Sequence, residues 1–160
     1  MPRLMIALGL ALMLAGCGHA NAGGDNLAAG QAYLAANAKA PGVITLPDGL
    51  QYKIVHSGPE TGQKPSAEDE VRVNYEGKLL NGKVFDSSFA RGQPANFGVS
   101  GLIPGWTEAL QLMRPGDEWI LYVPAKLAYG EEGAGNDIPP NSTLVFRIQL
   151  LGVLSKGAMG

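Results

Sequence analysis

Few side chains of this 160-residue sequence stand in a spacing that supports acid–base, nucleophilic or metal chemistry. Its two histidines, His19 and His56, form no His-x-x-x-His or Cys/His spacing that would hold a metal ion. Ser87 and Ser88 lack a Gly-x-Ser-x-Gly elbow, and the sequence has no glycine-rich phosphate loop. A formal net charge of −2 gives no attraction to nucleic acid. We therefore expect no metal, no cofactor and no nucleic-acid partner.

The single cysteine, Cys17, ends an apolar run that begins near Leu4. A short basic region, about ten apolar residues and small residues before the cysteine are typical of a secretory signal. The run is too short to span a bilayer. The order Leu14-Ala15-Gly16-Cys17 resembles the bacterial lipobox, in which the cysteine is lipidated and becomes the first mature residue. This predicts a signal peptide at residues 1–16 and a lipid anchor at Cys17; an ordinary signal with an accidental cysteine is the alternative.

The elements that must position any site are mostly strands. At residues 71–79 apolar and polar residues alternate, which is typical of a strand with one buried face, and Asn81-Gly82 follows as a tight turn. Similar alternation predicts further strands at residues 50–56, 118–123 and 144–151. Alternation of this kind indicates an antiparallel sheet, which we expect to have about five strands.

Two segments depart from the strand pattern. Residues 104–113 carry apolar side chains at i, i+3, i+4 and i+7, which predicts one short helix, and Pro104 suits its first turn. Residues 26–39 are alanine-rich and predict a short, marginal helix at the start of a connector over 26–48. The fold class is therefore α+β, a sheet wrapped around one helix over 49–154, with a flexible spacer at 17–25 and a disordered tail at 155–160.

Six segments stand out between about residue 49 and residue 153: Gly49-Leu50-Gln51-Tyr52, Val73-Asn74-Tyr75-Glu76-Gly77, Gly82-Lys83-Val84-Phe85-Asp86-Ser87-Ser88, Ile103-Pro104-Gly105-Trp106, Ala128-Tyr129-Gly130 and Ile138-Pro139-Pro140-Asn141-Ser142-Thr143-Leu144-Val145-Phe146. In these segments and in their order, the second half of the sequence resembles the FKBP-type peptidyl-prolyl isomerases. Residues 34–43 further resemble the macrophage-infectivity-potentiator branch of the family. That branch usually carries a longer helical dimerisation segment, whereas the sequence predicts only a short helix at residues 26–39. We therefore expect this chain to be a monomer.

The resemblance implies a proline-binding pocket and assigns ten residues to it. Trp106 is expected to form its floor. Tyr129 and the Ile103 N–H would donate hydrogen bonds to substrate carbonyls, and Asp86 with Tyr75 would supply a polar edge. The full set is Tyr75, Phe85, Asp86, Trp106, Tyr129 and Phe146 as catalytic residues, with Phe97, Leu102, Ile103 and Ile138 as substrate-binding residues.

Several of these assignments have a plainer alternative. The residues that are equally typical of a hydrophobic core are Trp106, Phe97, Leu102 and Phe146. Asp86 can instead anchor a turn together with the two serines that follow it. Asp137 and Ala95 depart from residues common in the family, and we expect both to lie near the rim.

An apolar pocket suits the isomerase reaction on physical grounds. Rotation about an X-Pro amide meets a barrier of about 20 kcal/mol because the twisted bond loses resonance. The twisted amide has a less polar carbonyl than the planar one, so apolar surroundings favour the transition state over the ground state. We therefore expect a peptidyl-prolyl isomerase acting on proline-containing exported polypeptides, with macrolides as inhibitors that the resemblance implies.

Two other classes of function remain open at this point. One is a non-catalytic proline-peptide-binding or holdase module at the cell envelope, and the other is an interaction protein for an envelope or host partner. Gly18 replaces the aspartate of an inner-membrane retention signal. We therefore expect an outer-membrane lipoprotein that faces the periplasm.

Overall fold

Residues 22–154 are described by a computed structural model, in which one antiparallel sheet packs against a short helix. The helices are α1 (Ala22–Asn37), α2 (Ser88–Arg91) and α3 (Pro104–Leu110), with 3-10 turns at Val99–Gly101 and Ala125–Leu127. The strands are β1 (Val43–Thr45), β2 (Gln51–His56), β3 (Glu70–Leu79), β4 (Val84–Ser87), β5 (Ala95–Gly98), β6 (Glu118–Val123) and β7 (Leu144–Leu154). The predicted α+β class with an antiparallel sheet is confirmed.

The sheet is built around its two longest strands. Its order is β1-β2-β6-β7-β3-β4, and β5 also pairs with β3. Strands β3 and β7 pair from Glu70 with Leu154 to Leu79 with Leu144. The two edges are short, because β1 has three residues and β4 and β5 have four residues each.

Helix α3 supplies one side of the core, as its apolar stripe predicts. Trp106, Ala109 and Leu110 are buried against the sheet, and Met113 is buried just beyond the end of the helix. The helix ends at Leu110 rather than at 113, but the Met113 N–H still donates to the Ala109 carbonyl. The stripe therefore keeps its helical spacing past the last residue of the helix.

The structure corrects several boundaries. The sheet has seven strands rather than about five, since β1, β4 and β5 are too short to show an alternating pattern. Helix α2 was not predicted; the Ser87 hydroxyl caps it by accepting a hydrogen bond from the Ala90 N–H. Helix α1 begins at Ala22, so residues 22–25, which the sequence assigned to the spacer, are helical.

The predicted signal peptide, Cys17 and the tail at 155–160 lie outside the described residues. Within residues 22–154, none of the helices combines the length and apolar character needed to cross a bilayer.

Gly77 offers a test of how tightly the sheet packs against its aromatic neighbours. A Cβ at this position would lie 2.5 Å from Phe85 Cζ and 2.7 Å from Phe146 Cε1. We expect Gly77→Ala to lower the free energy of unfolding by about 1–3 kcal/mol, because the added methyl group overpacks the site. Urea denaturation measures the change.

The matched control is Gly98→Ala, at the end of β5. A Cβ on Gly98 would meet no atom within 4 Å, and its φ of −71° suits any residue. An equal loss of stability in both variants would contradict the steric explanation.

Candidate active site

A cavity of about 450 Å³ lies between strands β3, β4, β5 and β7, helix α3 and the loop that follows the second 3-10 turn. Nine of the ten predicted site residues line it. The exception is Ile138, which is buried in the hydrophobic core. Gly101, Pro104 and Ala128 also line the cavity, although the sequence did not single them out for it.

Trp106 is the centre of an aromatic cluster in this cavity. Its ring meets Tyr75, Phe97 and Phe146 edge to face, with centroid separations of 5.2, 5.8 and 5.3 Å and interplanar angles of 83°, 84° and 86°. Phe85 meets Phe146 in the same way at 5.6 Å. Aromatic pairs prefer this geometry because the positive edge of one ring faces the negative face of the other. Three rings therefore stand roughly perpendicular to the Trp106 indole.

The strand register brings these rings to one place. Tyr75 is paired with Ile148, and Gly77 is paired with Phe146, so alternation puts the two pocket rings on the same face of the β3–β7 pair. Trp106 joins them from the first turn of α3, which Pro104 opens. The absence of a side chain at Gly77 leaves room for the ring of Phe146.

Some of these residues belong both to the hydrophobic core and to the lining of the cavity. Trp106 and Phe146 are each 4% exposed and belong to the hydrophobic core, yet both line the cavity. Phe97 and Leu102 are partly buried and pack against the core from the cavity wall. The hydrophobic core and the lining of the cavity are therefore partly the same residues.

The polar edge of the cavity is a triad of hydrogen-bonded side chains. The Tyr75 hydroxyl donates to Asp86 Oδ2 at 2.5 Å. The Arg91 guanidinium donates from Nη1 to Asp86 Oδ1 at 2.5 Å and from Nη2 to the Tyr75 oxygen at 3.0 Å. Both oxygens of Asp86 are thus occupied by bonds from Tyr75 and Arg91.

Sequence reasoning missed Arg91. It lies in the last turn of α2, a four-residue helix between β4 and β5. The available signal was an arginine five residues after the pocket carboxylate Asp86. Without the helix, that spacing did not indicate on which side of the chain the guanidinium lies.

The triad keeps Tyr75 neutral and Asp86 ionised. Burial raises the pKa of Tyr75, and its hydrogen bond to Asp86 raises it further. Burial opposes ionisation of Asp86, but the hydrogen bonds from Tyr75 and Arg91, with the charge of the guanidinium, outweigh burial and hold the pKa of Asp86 below its usual range. Neither group is poised to exchange a proton near neutral pH.

Two groups at the cavity retain free hydrogen-bonding capacity. Among the hydrogen bonds within residues 22–154, none uses the Ile103 N–H. Tyr129 is 41% exposed and lines the cavity. Ile138, nine residues further along the loop from Tyr129, pairs with Ala134 and supports that loop from the core. Within the described residues, no three His, Cys, Asp or Glu side chains are grouped to hold a metal ion.

Comparison with known protein families shows to which family this chain belongs. The family of the FKBP-type peptidyl-prolyl cis-trans isomerase matches residues 61–151, and the domain amino terminal to FKBP-type peptidyl-prolyl isomerase matches residues 17–54. The chain belongs to the FKBP family. The resemblance that the sequence segments carry is therefore confirmed.

Three similar proteins are each longer than this chain. The peptidyl-prolyl cis-trans isomerase Mip of Coxiella burnetii is 54% identical over 126 residues, which cover 79% of this chain and 54% of that protein. The outer membrane protein MIP of Legionella longbeachae is 54% identical over 129 residues, covering 81% and 54% of the two chains. The chain thus spans about half the length of these relatives. The crystal structure of FkpA from Escherichia coli matches with a TM-score of 0.79 and 46% identity, over 83% of this chain and 61% of that one.

The lowered pKa of Asp86 predicts a pH-dependent contribution to stability. A carboxyl group whose pKa falls on folding stabilises the folded state above its unfolded pKa, and this stabilisation is lost as the pH falls through its folded pKa. The side chains of Asp86 and Arg91 are 42% and 47% exposed, so solvent screens the pair. We expect Asp86→Asn to lower the free energy of unfolding at neutral pH by about 1 kcal/mol or less.

The difference between Asp86→Asn and the unsubstituted protein should shrink as the pH falls below about 4. Urea denaturation at a series of pH values measures it. Glu76→Gln, which breaks the partly exposed Glu76–Lys78 ion pair outside the cavity, is the control. A difference for Asp86→Asn that stays constant down to low pH would overturn this interpretation.

Proposed function

We propose that the protein is a peptidyl-prolyl cis-trans isomerase that binds the prolyl ring of exported polypeptides in the aromatic cavity. The observation that carries the proposal is the cluster of three rings around Trp106, which encloses an apolar space next to an already paired polar edge. Such a space accepts a prolyl ring and the twisted amide beside it. Membership of the FKBP family supports the same activity.

The proposed mechanism needs no covalent bond to break. Rotation about the X-Pro bond costs about 20 kcal/mol because the amide loses resonance. The apolar rings favour the less polar, twisted carbonyl over the planar one. The Ile103 N–H and the Tyr129 hydroxyl hold neighbouring carbonyls of the substrate and restrict it to geometries that twist readily. Asp86 orients Tyr75 and takes no proton.

The names of the relatives favour catalysis over the alternative of a non-catalytic binding or holdase module. The Coxiella burnetii relative is named a peptidyl-prolyl cis-trans isomerase. Uncatalysed X-Pro isomerisation takes about 10–100 s, which is slow enough to limit folding. Newly exported chains that contain proline are therefore the proposed substrates, a macrolide is the proposed inhibitor, and the proposed working state is a monomer.

Substitution of two pocket rings tests the proposal. We expect Trp106→Leu combined with Phe146→Ala to lower kcat/KM for a proline-containing peptide about tenfold or more. Each aromatic contact contributes about 0.5–1.5 kcal/mol, and about 1.4 kcal/mol corresponds to a factor of ten. A peptide isomerisation assay measures the rate, and circular dichroism verifies that the variant is folded.

Trp119→Leu is the matched control, since Trp119 is as deeply buried as Trp106 but stacks on Tyr52 outside the cavity. It should retain the rate. Unchanged activity in the double variant would refute the aromatic cavity as the catalyst. If the unsubstituted protein binds the peptide without accelerating isomerisation, the non-catalytic module is correct.

We further propose that the protein is anchored by a lipid on Cys17 at the outer membrane and faces the periplasm. The support is the resemblance of Leu14-Ala15-Gly16-Cys17 to a lipobox and the glycine that follows it. The Legionella longbeachae relative is named an outer membrane protein, which agrees with an envelope location. An anchor of this kind would keep the cavity near newly exported chains.

Cys17→Ser tests the anchor. We expect this variant to be soluble or unprocessed, because serine has no thiol to accept a lipid. Fractionation of cells labelled with a fatty acid measures both membrane retention and acylation. Labelling and membrane retention equal to those of the unsubstituted protein would rule out Cys17 as the anchor.

A further inference from the structure

The loop that carries Tyr129 has little secondary structure of its own. Between the second 3-10 turn and β7, its only pairing is the isolated bridge between Ala134 and Ile138. Its base is closed by backbone hydrogen bonds, in which the Gly130 N–H donates to the Ala125 carbonyl and the Asn141 N–H donates to the Gly130 carbonyl, each at 2.8 Å. Asn141 is therefore bonded directly to the residue that follows Tyr129.

Asn141 has an unusual conformation. Its φ of 57° is the only positive value at a non-glycine residue within the described part of the chain. Asparagine tolerates this left-handed conformation better than most residues. Its side chain is also engaged, because Nδ2 donates to the Gly23 carbonyl in the first turn of α1 at 3.0 Å.

A second bond joins the same two segments. Asn26 Nδ2, also near the start of α1, donates to the Pro140 carbonyl at 3.1 Å. Two consecutive loop residues are thus bonded to one end of the helix. Helix α1 does not itself line the cavity.

Helix α1 is in turn held firmly on the rest of the protein. Gly30 is buried against Thr143 with no room for a Cβ between them. At the other end of the helix, the Gln51 side chain donates to the Leu34 carbonyl at 2.8 Å and accepts from Asn37 Nδ2 at 2.9 Å. The helix is therefore a fixed support from which the loop can be braced.

We propose that Asn141 is a positioning residue that ties the Tyr129 loop to helix α1 and so holds Tyr129 ready for substrate. The proposal rests on the isomerase function proposed above. Without this bond, a smaller fraction of the protein is in the conformation that binds substrate. The apparent affinity falls in proportion to that fraction, while the rate of isomerisation of bound substrate is retained. Asn141 thus acts on KM rather than on kcat.

Two substitutions remove the side-chain bond of Asn141 to Gly23, preserve the backbone and leave the bond of Asn26 to Pro140 in place. Asn141→Asp is nearly isosteric and tolerates the positive φ, but its carboxylate cannot donate to the Gly23 carbonyl. Asn141→Gly keeps the φ and the N–H that bonds Gly130. For both variants we expect KM for a proline-containing peptide to rise about fivefold with kcat within about twofold of its original value.

Asn37→Asp is the matched control, because it breaks one asparagine bond at the opposite end of α1 and leaves the helix held by the Gln51 bond to Leu34 and by the contact of Gly30 with Thr143. It should leave KM unchanged. In a Tyr129→Ala background, Asn141→Asp should have no further effect, since the residue it positions is gone. A purely structural role for Asn141 predicts the same loss in both backgrounds.

Hydrogen exchange of the backbone amides at residues 128–141 provides a readout without turnover. We expect faster exchange in Asn141→Asp and Asn141→Gly than in Asn37→Asp. Unchanged KM and unchanged exchange in both Asn141 variants, or an equal change in Asn37→Asp, would overturn the proposal.

If the unsubstituted protein does not accelerate isomerisation, the proposed function fails, but the exchange measurement still tests the bond between Asn141 and α1. If either Asn141 variant does not fold, Asn26→Ala tests the neighbouring bond in the same assays.

Discussion

Strands β3 and β7 pair over nearly their whole length, and the cavity depends on the register of that pairing. It sets Phe146 opposite Gly77, where a side chain would collide with two rings. A shift of one residue in this pairing would place Tyr75 and Phe146 on opposite faces of the sheet, so that they could no longer both pack against Trp106. The hydrophobic energy that stabilises the sheet therefore also fixes the shape of the cavity, since the same rings belong to both.

The cavity keeps its apolar interior apart from charged groups. Within residues 22–154, Asp86 is the only charged residue that lines the cavity, and Tyr75 and Arg91 hold it at the rim, so the aromatic interior carries no charge. This arrangement suits the proposed isomerisation, in which an amide becomes less polar at its transition state. The proposed reaction also requires none of the usual acid–base or nucleophilic spacings, which the sequence lacks. Such spacings serve reactions that break covalent bonds.

The parts of the structure that were predictable are those with a regular period. Alternation identified the strand that carries Tyr75, and the spacing of Trp106 and Leu110 identified α3, because each pattern records burial on one face. Arg91 was not predicted because it lies in a helix of one turn, which is too short to show a helical period in the sequence. The hydrogen bonds between α1 and the Tyr129 loop were not predictable for a different reason. Each joins residues more than a hundred positions apart, and an isolated asparagine such as Asn26 or Asn141 does not indicate its partner.

The short edges of the sheet have a consequence for the proposed binding of unfolded polypeptides. An extended polypeptide can add itself as a strand to an open edge, through main-chain hydrogen bonds that ignore its sequence. Edges of three or four residues offer too few such bonds for a lasting attachment. In the proposed function, a bound polypeptide would therefore be retained by its prolyl ring and not by strand addition, and it could leave after each rotation without seeding aggregation.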